Sequence, residues 1–200
     1  HNMNEVSRLC KSVLMMKNGQ IGIQVDGVND ISTLPNEPML TIKNSRIHNM
    51  SSIGILAQGS KVYGENLLIA NCGQHLLGLN IGGDYNFKHC TFINSYPFAR
   101  QSPSIFLNNY YEDIDGNLQY RDLIQASFGN CIIDGNMETE IVFDKDEQAT
   151  FNYKLDHCVL KASEDYWGEE ANSESQEVIL LNNDENCGIV NFNQDDLTTI

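Results

Sequence analysis

Positive charge is scarce in this sequence: 12 lysines and arginines stand against 27 aspartates and glutamates, for a formal net charge of −15. Such a charge repels nucleic-acid phosphates and anionic membrane surfaces, so we expect neither as a partner. An acidic polysaccharide is still compatible with it, given a local basic patch. Long apolar runs are also lacking, since no stretch approaches the roughly 18 residues of a membrane span. The six cysteines include no Cys-x-x-Cys pair and fit no zinc pattern, so we expect no metal site.

A signal peptide is missing from the start of the chain, which opens with His1-Asn2-Met3 and has no basic region followed by an apolar stretch. The repeats described below begin almost at once, and the chain stops at Ile200 without a polar cap. We therefore expect a single domain over residues 1–200, incomplete at one or both ends. The absence of a signal says little about localisation.

A short motif recurs along the chain: two apolar residues in alternation, then Asn or His, then Cys, Ser or Leu, and an apolar residue two positions later. Its polar column comprises Asn44, Asn66, His89, Asn130 and His157. After a turn, each copy meets a second apolar segment, such as Ile53-Gly54-Ile55, and Val178–Leu181 is assigned to the last of these. Because the apolar residues alternate with period two, they indicate β-strands rather than helices.

Successive copies are 22 and 23 residues apart, and two later intervals stretch to 41 and 27 residues. One copy cannot bury its inward face alone, whereas stacked copies pair their strands at about 4.8 Å and enclose a core. The pattern therefore predicts an all-β fold, a parallel β-helix (solenoid) with long inserted loops. We expect the Asn and His columns at tight corners, since Asn tolerates left-handed backbone and its amides bond along the stack. The alternative is that some of them face solvent on the strands.

Three inserted loops interrupt the repeat, at residues 27–38, 96–123 and 161–177. The second contains Asp115-Gly116-Asn117, which predicts a hairpin turn. The run Asp113-x-Asp115-Gly116-Asn117 also matches part of a calcium loop, but it lacks the other ligands, so the hairpin is favoured. The acidic residues around Glu140 are interpreted as a solvated face. Loops that leave a rigid scaffold are a common place for function.

The Asn-Cys-x-Ile and Gly-Ile segments resemble those of the right-handed parallel β-helix superfamily, which includes pectate lyases and polygalacturonases. The stretch from Gly82 to Asn94 resembles secreted or lipid-anchored β-helix proteins of Bacteroides-type bacteria, whose activity is unassigned. This resemblance implies a right-handed helix and an extracytoplasmic location (periplasmic, cell-surface or secreted). Polygalacturonase motifs are missing except for an isolated Asp195-Asp196, and no Trp-x-Asp-His element of pectate lyases occurs. No catalytic residue is carried over, and the catalytic residues stay unknown.

Cysteine and histidine recur within the repeat rather than in separate clusters. Cys90, Cys131 and Cys158 share one position, so we expect them to be stacked, buried and reduced. His89 and His157 replace the Asn of the ladder, which favours a structural hydrogen-bonding role.

Aromatic and arginine side chains gather in the longest insertion. Aromatic faces suit sugar rings, and arginine binds carboxylates in a bidentate manner. The alternative is that these aromatic residues cover a face of the solenoid, with one arginine paired to a neighbouring acid. The candidate carbohydrate-binding residues are Tyr96, Phe98, Arg100, Tyr110, Tyr111, Tyr120 and Arg121.

The favoured function is a non-catalytic, carbohydrate-associated β-helix protein of a surface or periplasmic glycan system. One alternative is a polysaccharide lyase or glycoside hydrolase acting on an acidic glycan, and another is a structural or adhesin-type solenoid. No cofactor is expected, with calcium as the exception if the protein is a lyase. A polysaccharide is the expected partner.

Overall fold

The computed structural model describes residues 15–98, 100–171, 175 and 177–181. Within them the chain is all-β apart from one short helix, α1 (Glu164–Glu170), and a 3₁₀ turn at Ile31–Thr33. None of the helical segments in this part of the chain is long and apolar enough to cross a membrane. The strands are β1 (Met15–Lys17), β2 (Ile21–Asp26), β3 (Leu40–His48), β4 (Ile53–Ala70), β5 (Leu77–Lys88), β6 (Thr91–Asn94), β7 (Ile105–Asn108), β8 (Tyr110–Glu112), β9 (Leu118–Tyr120), β10 (Leu123–Gly129), β11 (Ile132–Gly135), β12 (Ile141–Asp144), β13 (Phe151–Asp156), β14 (Val159–Leu160) and β15 (Ile179–Leu180).

Strands that are one repeat apart lie side by side and parallel. Their register places at equivalent positions the residues that the repeat motif aligns, so the predicted alignment of the five copies is confirmed. One set of partners across β3, β4, β5, β10 and β13 is Leu40, Val62, Tyr85, Ala126 and Tyr153. Thirteen strands among the described residues form one large parallel sheet, which curls around the core. This architecture is compatible with a solenoid-like fold.

The predicted corners are present. Asn44, Asn66, His89, Asn130 and His157 all have a positive φ, between 50° and 54°. Left-handed backbone is unusual for residues other than glycine, and Asn adopts it at the lowest cost. The Asn66 Nδ2 donates to the Asn44 Oδ1 at 2.8 Å, so these two corner side chains are joined as the ladder predicts.

The core lies inside the curl of the sheet. All nine residues that the motif places in the interior are on strands and at most 1% exposed. They are Ile42, Ile47, Ile69, Phe87, Phe92, Phe128, Ile133, Leu155 and Leu160. The Phe87 and Phe128 rings stack at 5.5 Å, and Phe92 meets both edge-on.

The cysteine column is buried as expected. Cys90, Cys131 and Cys158 occupy successive repeats, and the thiol of Cys131 contacts both neighbouring thiols. The hydrogen bond with Cys158 lowers the pKa of the Cys131 thiol, but the bond with Cys90 and burial outweigh it and raise this pKa to about 12. Their reduced state remains a prediction, and Cys10 and Cys187 lie outside the described residues.

The third insertion, interpreted from the sequence as a loop over residues 161–177, contains a helix and ends before residue 177. Helix α1 lies inside it, and the Tyr166 hydroxyl of that helix accepts the Phe143 amide at 2.8 Å. Glu177 is not a loop residue, because it has a φ of 49° and its carboxylate lies 3.0 Å from His157 Nε2, in line with the ladder. Strand β15 pairs with β14, so assigning Val178–Leu181 to the second apolar segment of a repeat was wrong.

Candidate functional site

A cleft of about 650 Å³ lies where the first two insertions meet. Residues 29–32 of the first insertion form one wall, and hairpin residues together with Arg121 and Asp122 form another. Gln148 and Ala149 close a third side. The volume is within the usual range for small-molecule sites, so this cleft is the candidate functional site.

The hairpin of the second insertion is built by its turn residues. Asp113 accepts the amides of Asp115 and Asn117 at 3.0 and 2.9 Å, and these bonds hold the pKa of its carboxyl below the ordinary value. Gly116 takes the positive φ that the turn requires, at 81°. Strands β8 and β9 pair antiparallel, so the predicted hairpin is confirmed.

Asn109 anchors the base of the hairpin. Its buried side chain donates to the carbonyls of Asp146 and Ala149 at 2.8 and 3.1 Å and accepts the Asp146 amide at 2.8 Å. These three bonds join the hairpin to the segment that carries Gln148 and Ala149, so Asn109 holds two walls of the cleft together. The sequence contains an Asn at this place but no pattern that singles it out.

Arg121 connects the two insertions across the cleft. Its guanidinium donates to the Val28 carbonyl and to the Tyr111 hydroxyl, both at 3.1 Å. The same group lies 4.9 Å from the centre of the Tyr111 ring, which is a cation–π contact. Gly59, at a φ of 52°, lies beneath it, and a Cβ there would come within 3.3 Å of the guanidinium. Arg121 is therefore held from three directions.

A strained corner lies against the same wall. Ile81 has a φ of 63°, a conformation that β-branched residues rarely adopt, and its amide donates to Asn108 Oδ1 at 2.8 Å. A Cβ on the neighbouring Gly82 would lie 2.4 Å from the Asp122 carbonyl oxygen. Strained backbone of this kind concentrates at functional sites, and here it contacts the segment between β9 and β10 that supplies Arg121 and Asp122.

Two carboxylates line the cleft. Asp30 accepts the hydroxyl and the amide of Ser32 at 2.7 and 3.0 Å, and these bonds hold the pKa of its carboxyl below the ordinary value. Asp122 accepts the Thr150 amide at 2.7 Å. An ionised carboxylate accepts hydrogen bonds, so Asp30 suits a ligand rich in hydroxyl groups. Neither residue was among the candidates named from the sequence.

Six of the seven candidate residues fall into three groups in the structure. Tyr111, Tyr120 and Arg121 line the cleft. Tyr110 instead donates its hydroxyl to Asp144 at 2.8 Å. Tyr96 and Phe98 contact each other at 5.7 Å and do not line the cleft, although Phe98 is 71% exposed.

Arg100 is not available to a ligand, which corrects its placement among the glycan-binding residues. Its guanidinium and the Glu140 carboxylate form a bidentate ion pair at 2.5 and 2.9 Å, with both side chains completely buried. Further bonds run to the carbonyls of Asn94 and Ser102. The alternative interpretation, an arginine paired with a neighbouring acid, is the correct one for Arg100. Glu140 was assigned to a solvated face, and that too was wrong.

A second groove, of about 460 Å³, runs along the ladder beside Asn44, Asn66 and His89. Its described lining residues include Arg46 but no Tyr, Phe or Trp, and it is therefore the weaker candidate. Within the described part of the chain, no three His, Cys, Asp or Glu side chains are arranged to hold a metal ion.

Comparison of the chain with protein-family models, with curated proteins and with solved structures gave no match.

Proposed function

We propose that the protein is a non-catalytic, carbohydrate-binding member of the right-handed parallel β-helix class and that it acts in a surface or periplasmic glycan system. The parallel register of equivalent residues in five repeats supports the fold assignment. The observation that carries the function is the cleft between the insertions, where the Tyr111–Arg121 pair faces the first insertion.

The cleft offers the contacts that a sugar requires. The Tyr111 ring is an apolar surface of the kind that packs on the C–H face of a pyranose, and it is held in place by Arg121. Asp30 and Asp122 provide acceptors for hydroxyl groups, and Gln119 and Gln148 at the rim add amide groups. A rigid scaffold below and three connected loops above favour a preorganised site.

The carboxylates favour binding over hydrolysis. A glycoside hydrolase requires a carboxylic acid that stays protonated near neutral pH to serve as the general acid. The pKa of Asp30 is shifted the opposite way by the bonds from Ser32, and Asp122 accepts a backbone amide. Both are therefore suited to accept hydrogen bonds.

The experiment is a glycan array followed by calorimetry on the glycans that bind. Tyr111→Ala and Arg121→Gln should each weaken binding at least about tenfold, since each removes the packing surface or its support. Tyr63→Ala is the matched control, because Tyr63 is also in a cation–π pair, with Lys43 at 5.0 Å, but does not line the cleft. Equal affinity for all folded variants would move the site elsewhere, and failure of every glycan to bind would reject the function.

The enzymatic alternative is tested on the same glycans. Release of reducing ends or unsaturated uronates, abolished by Asp30→Asn, would identify a hydrolase or a lyase. An absence of glycan binding together with stable self-association would favour the structural or adhesin role.

We propose an extracytoplasmic location, because a glycan-binding protein encounters polymeric glycans outside the cytoplasm. Cell fractionation of the source organism with an antibody to this chain tests it, and recovery in the cytoplasm would contradict it.

A further inference from the structure

We infer that the cleft binds an uncharged glycan and discriminates against glycans that carry carboxylate or sulfate groups. This inference rests on the proposed carbohydrate binding and adds the chemical class of the ligand.

The first reason is that the guanidinium of Arg121 is already engaged. It donates to the Val28 carbonyl and the Tyr111 hydroxyl, and its face lies on the Tyr111 ring. A uronate binds most strongly through two parallel N–H groups of one guanidinium edge, and both terminal nitrogens of Arg121 already donate to protein atoms. Arg121 therefore acts as a positioning residue that holds Tyr111 and the first insertion, and not as a receptor for an anion.

The second reason is the charge of the cleft. Among its described lining residues, Arg121 is the only basic side chain, whereas Asp30 and Asp122 supply two carboxylates. The chain as a whole carries a formal net charge of −15, so long-range forces also repel an anionic polymer.

The third reason is the position of the other arginine in the second insertion. Arg100 is buried and neutralised by Glu140, with both side chains 0% exposed. It therefore adds no positive potential at the surface of the insertion. Arg100 and Arg121 together do not form the basic patch that an acidic glycan requires.

The test uses matched polymers that differ only in charge. Polygalacturonate, alginate and hyaluronan are each compared with their carboxyl-reduced forms, and xylan, mannan and β-glucan complete the panel. Calorimetry or affinity electrophoresis at low ionic strength measures binding. We expect binding to at least one neutral polymer and affinity at least about tenfold lower for the acidic form of any reduced polymer that binds, because the acidic form brings its carboxylates close to those of Asp30 and Asp122. Added salt should narrow this difference and leave neutral binding unchanged.

Two variants separate the roles of charge and position. Arg121→Lys keeps the positive charge but loses the planar guanidinium, so neutral binding should fall about tenfold if Arg121 positions Tyr111. Asp30→Asn removes one negative charge and keeps an oxygen acceptor, so it should strengthen binding of acidic polymers more than of neutral ones. Circular dichroism checks the folding of both variants.

The outcomes distinguish the two proposals. An acidic polymer that binds as tightly as its reduced form, with Arg121→Lys retaining that binding, would overturn this inference and leave carbohydrate binding intact. If no polymer of either charge binds, the proposed function fails, and this inference fails with it.

Discussion

The second insertion contains two arginines whose surroundings are opposite. At its first end, Arg100 is completely buried in a bidentate pair with Glu140. At its other end, Arg121 is half-buried and bonded to a carbonyl and a phenol. Nothing in the local sequence distinguishes them, since both follow an aromatic segment within the same loop.

In the part of the chain that the structure describes, the two arginines differ because the fold brings a carboxylate to Arg100 but not into hydrogen-bonding contact with Arg121. Glu140 lies directly before strand β12 of the next repeat, 40 residues from Arg100, and it also accepts the amide and hydroxyl of Ser104. A buried guanidinium needs such a partner, because an unpaired charge in the interior is very costly. Among the described residues, Arg121 forms no hydrogen bond with a carboxylate. It lies half-buried at the surface, where it lines the cleft. One end of the insertion is thus a structural anchor and the other is a wall of the cleft.

The largest loss of stability should come from breaking the Arg100–Glu140 ion pair at the buried end of the second insertion. Arg100→Leu leaves Glu140 buried without a counter-charge and should lower the free energy of unfolding by about 3 to 5 kcal/mol. The double variant Arg100→Leu, Glu140→Gln should recover part of that loss, since it removes the orphaned charge. Urea denaturation measures both, and a loss below about 1 kcal/mol for the single variant would show that the pair is not an anchor.

The next largest loss of stability should come from replacing Asn109, which joins the hairpin to the segment that carries Gln148. Asn109→Ala leaves three backbone groups without their side-chain partner and should cost about 2 to 3 kcal/mol. It should also weaken glycan binding, since it frees the segment that carries Gln148. Asn117→Ala, in the exposed turn, is the control and should change stability little. Equal stability of the two variants would contradict this role of Asn109.

At the exposed end, function should change more than stability. Arg121→Gln should lower the unfolding free energy by less than about 1 kcal/mol, because surface contacts of this kind contribute little. The same change should reduce affinity for a bound glycan at least about tenfold. If Arg121→Gln destabilised the protein as much as Arg100→Leu, the contrast between the two ends would be rejected.

The smallest expected effect is a loss of stability in acid that is confined to the buried end of the second insertion, near His75. His75 Nδ1 donates to the Pro103 carbonyl at 2.7 Å, and its ring stacks on Phe106. Burial lowers the pKa of His75, so the unfolded chain, with a value near 6.5, takes up the proton more readily. The His75 contribution to stability is therefore present above pH of about 6.5 and declines as the pH falls below it.

Hydrogen exchange of residues 100–106 measured across that pH range should show faster opening in acid, with the hairpin less affected. His75→Asn keeps a donor and should remove this pH dependence. His89→Asn is the matched control, because His89 is an exposed ladder residue at a position where Asn is found in other repeats. An unchanged acid response in His75→Asn would assign the effect to other groups.

The repeating part of the molecule could be predicted because its information is local. Alternating apolar residues, a left-handed Asn or His and then Cys, Ser or Leu recur in the same order, so each repeat specifies the same strands and corner. Glu177 escaped notice because Glu is an unusual residue at such a corner, and its place in line with His157 follows only from the pairing of β14 and β15.

The candidate site could be predicted only in part. The sequence placed a binding site in the second insertion and named Tyr111, Tyr120 and Arg121, which line the cleft. It did not name Asp30, Asp122 or Asn109, because these polar residues are common in loops and belong to segments far apart in the chain.

The sequence by itself therefore determined the repeat, its core and its corners, since these depend on residues within about one repeat of each other. The tertiary structure alone decided which inserted segments meet and which arginine has a carboxylate within reach. Burial and ion pairing are properties of the assembled surroundings, and partners such as Val28 and Arg121, 93 residues apart, are brought together only by the stacking of the repeats.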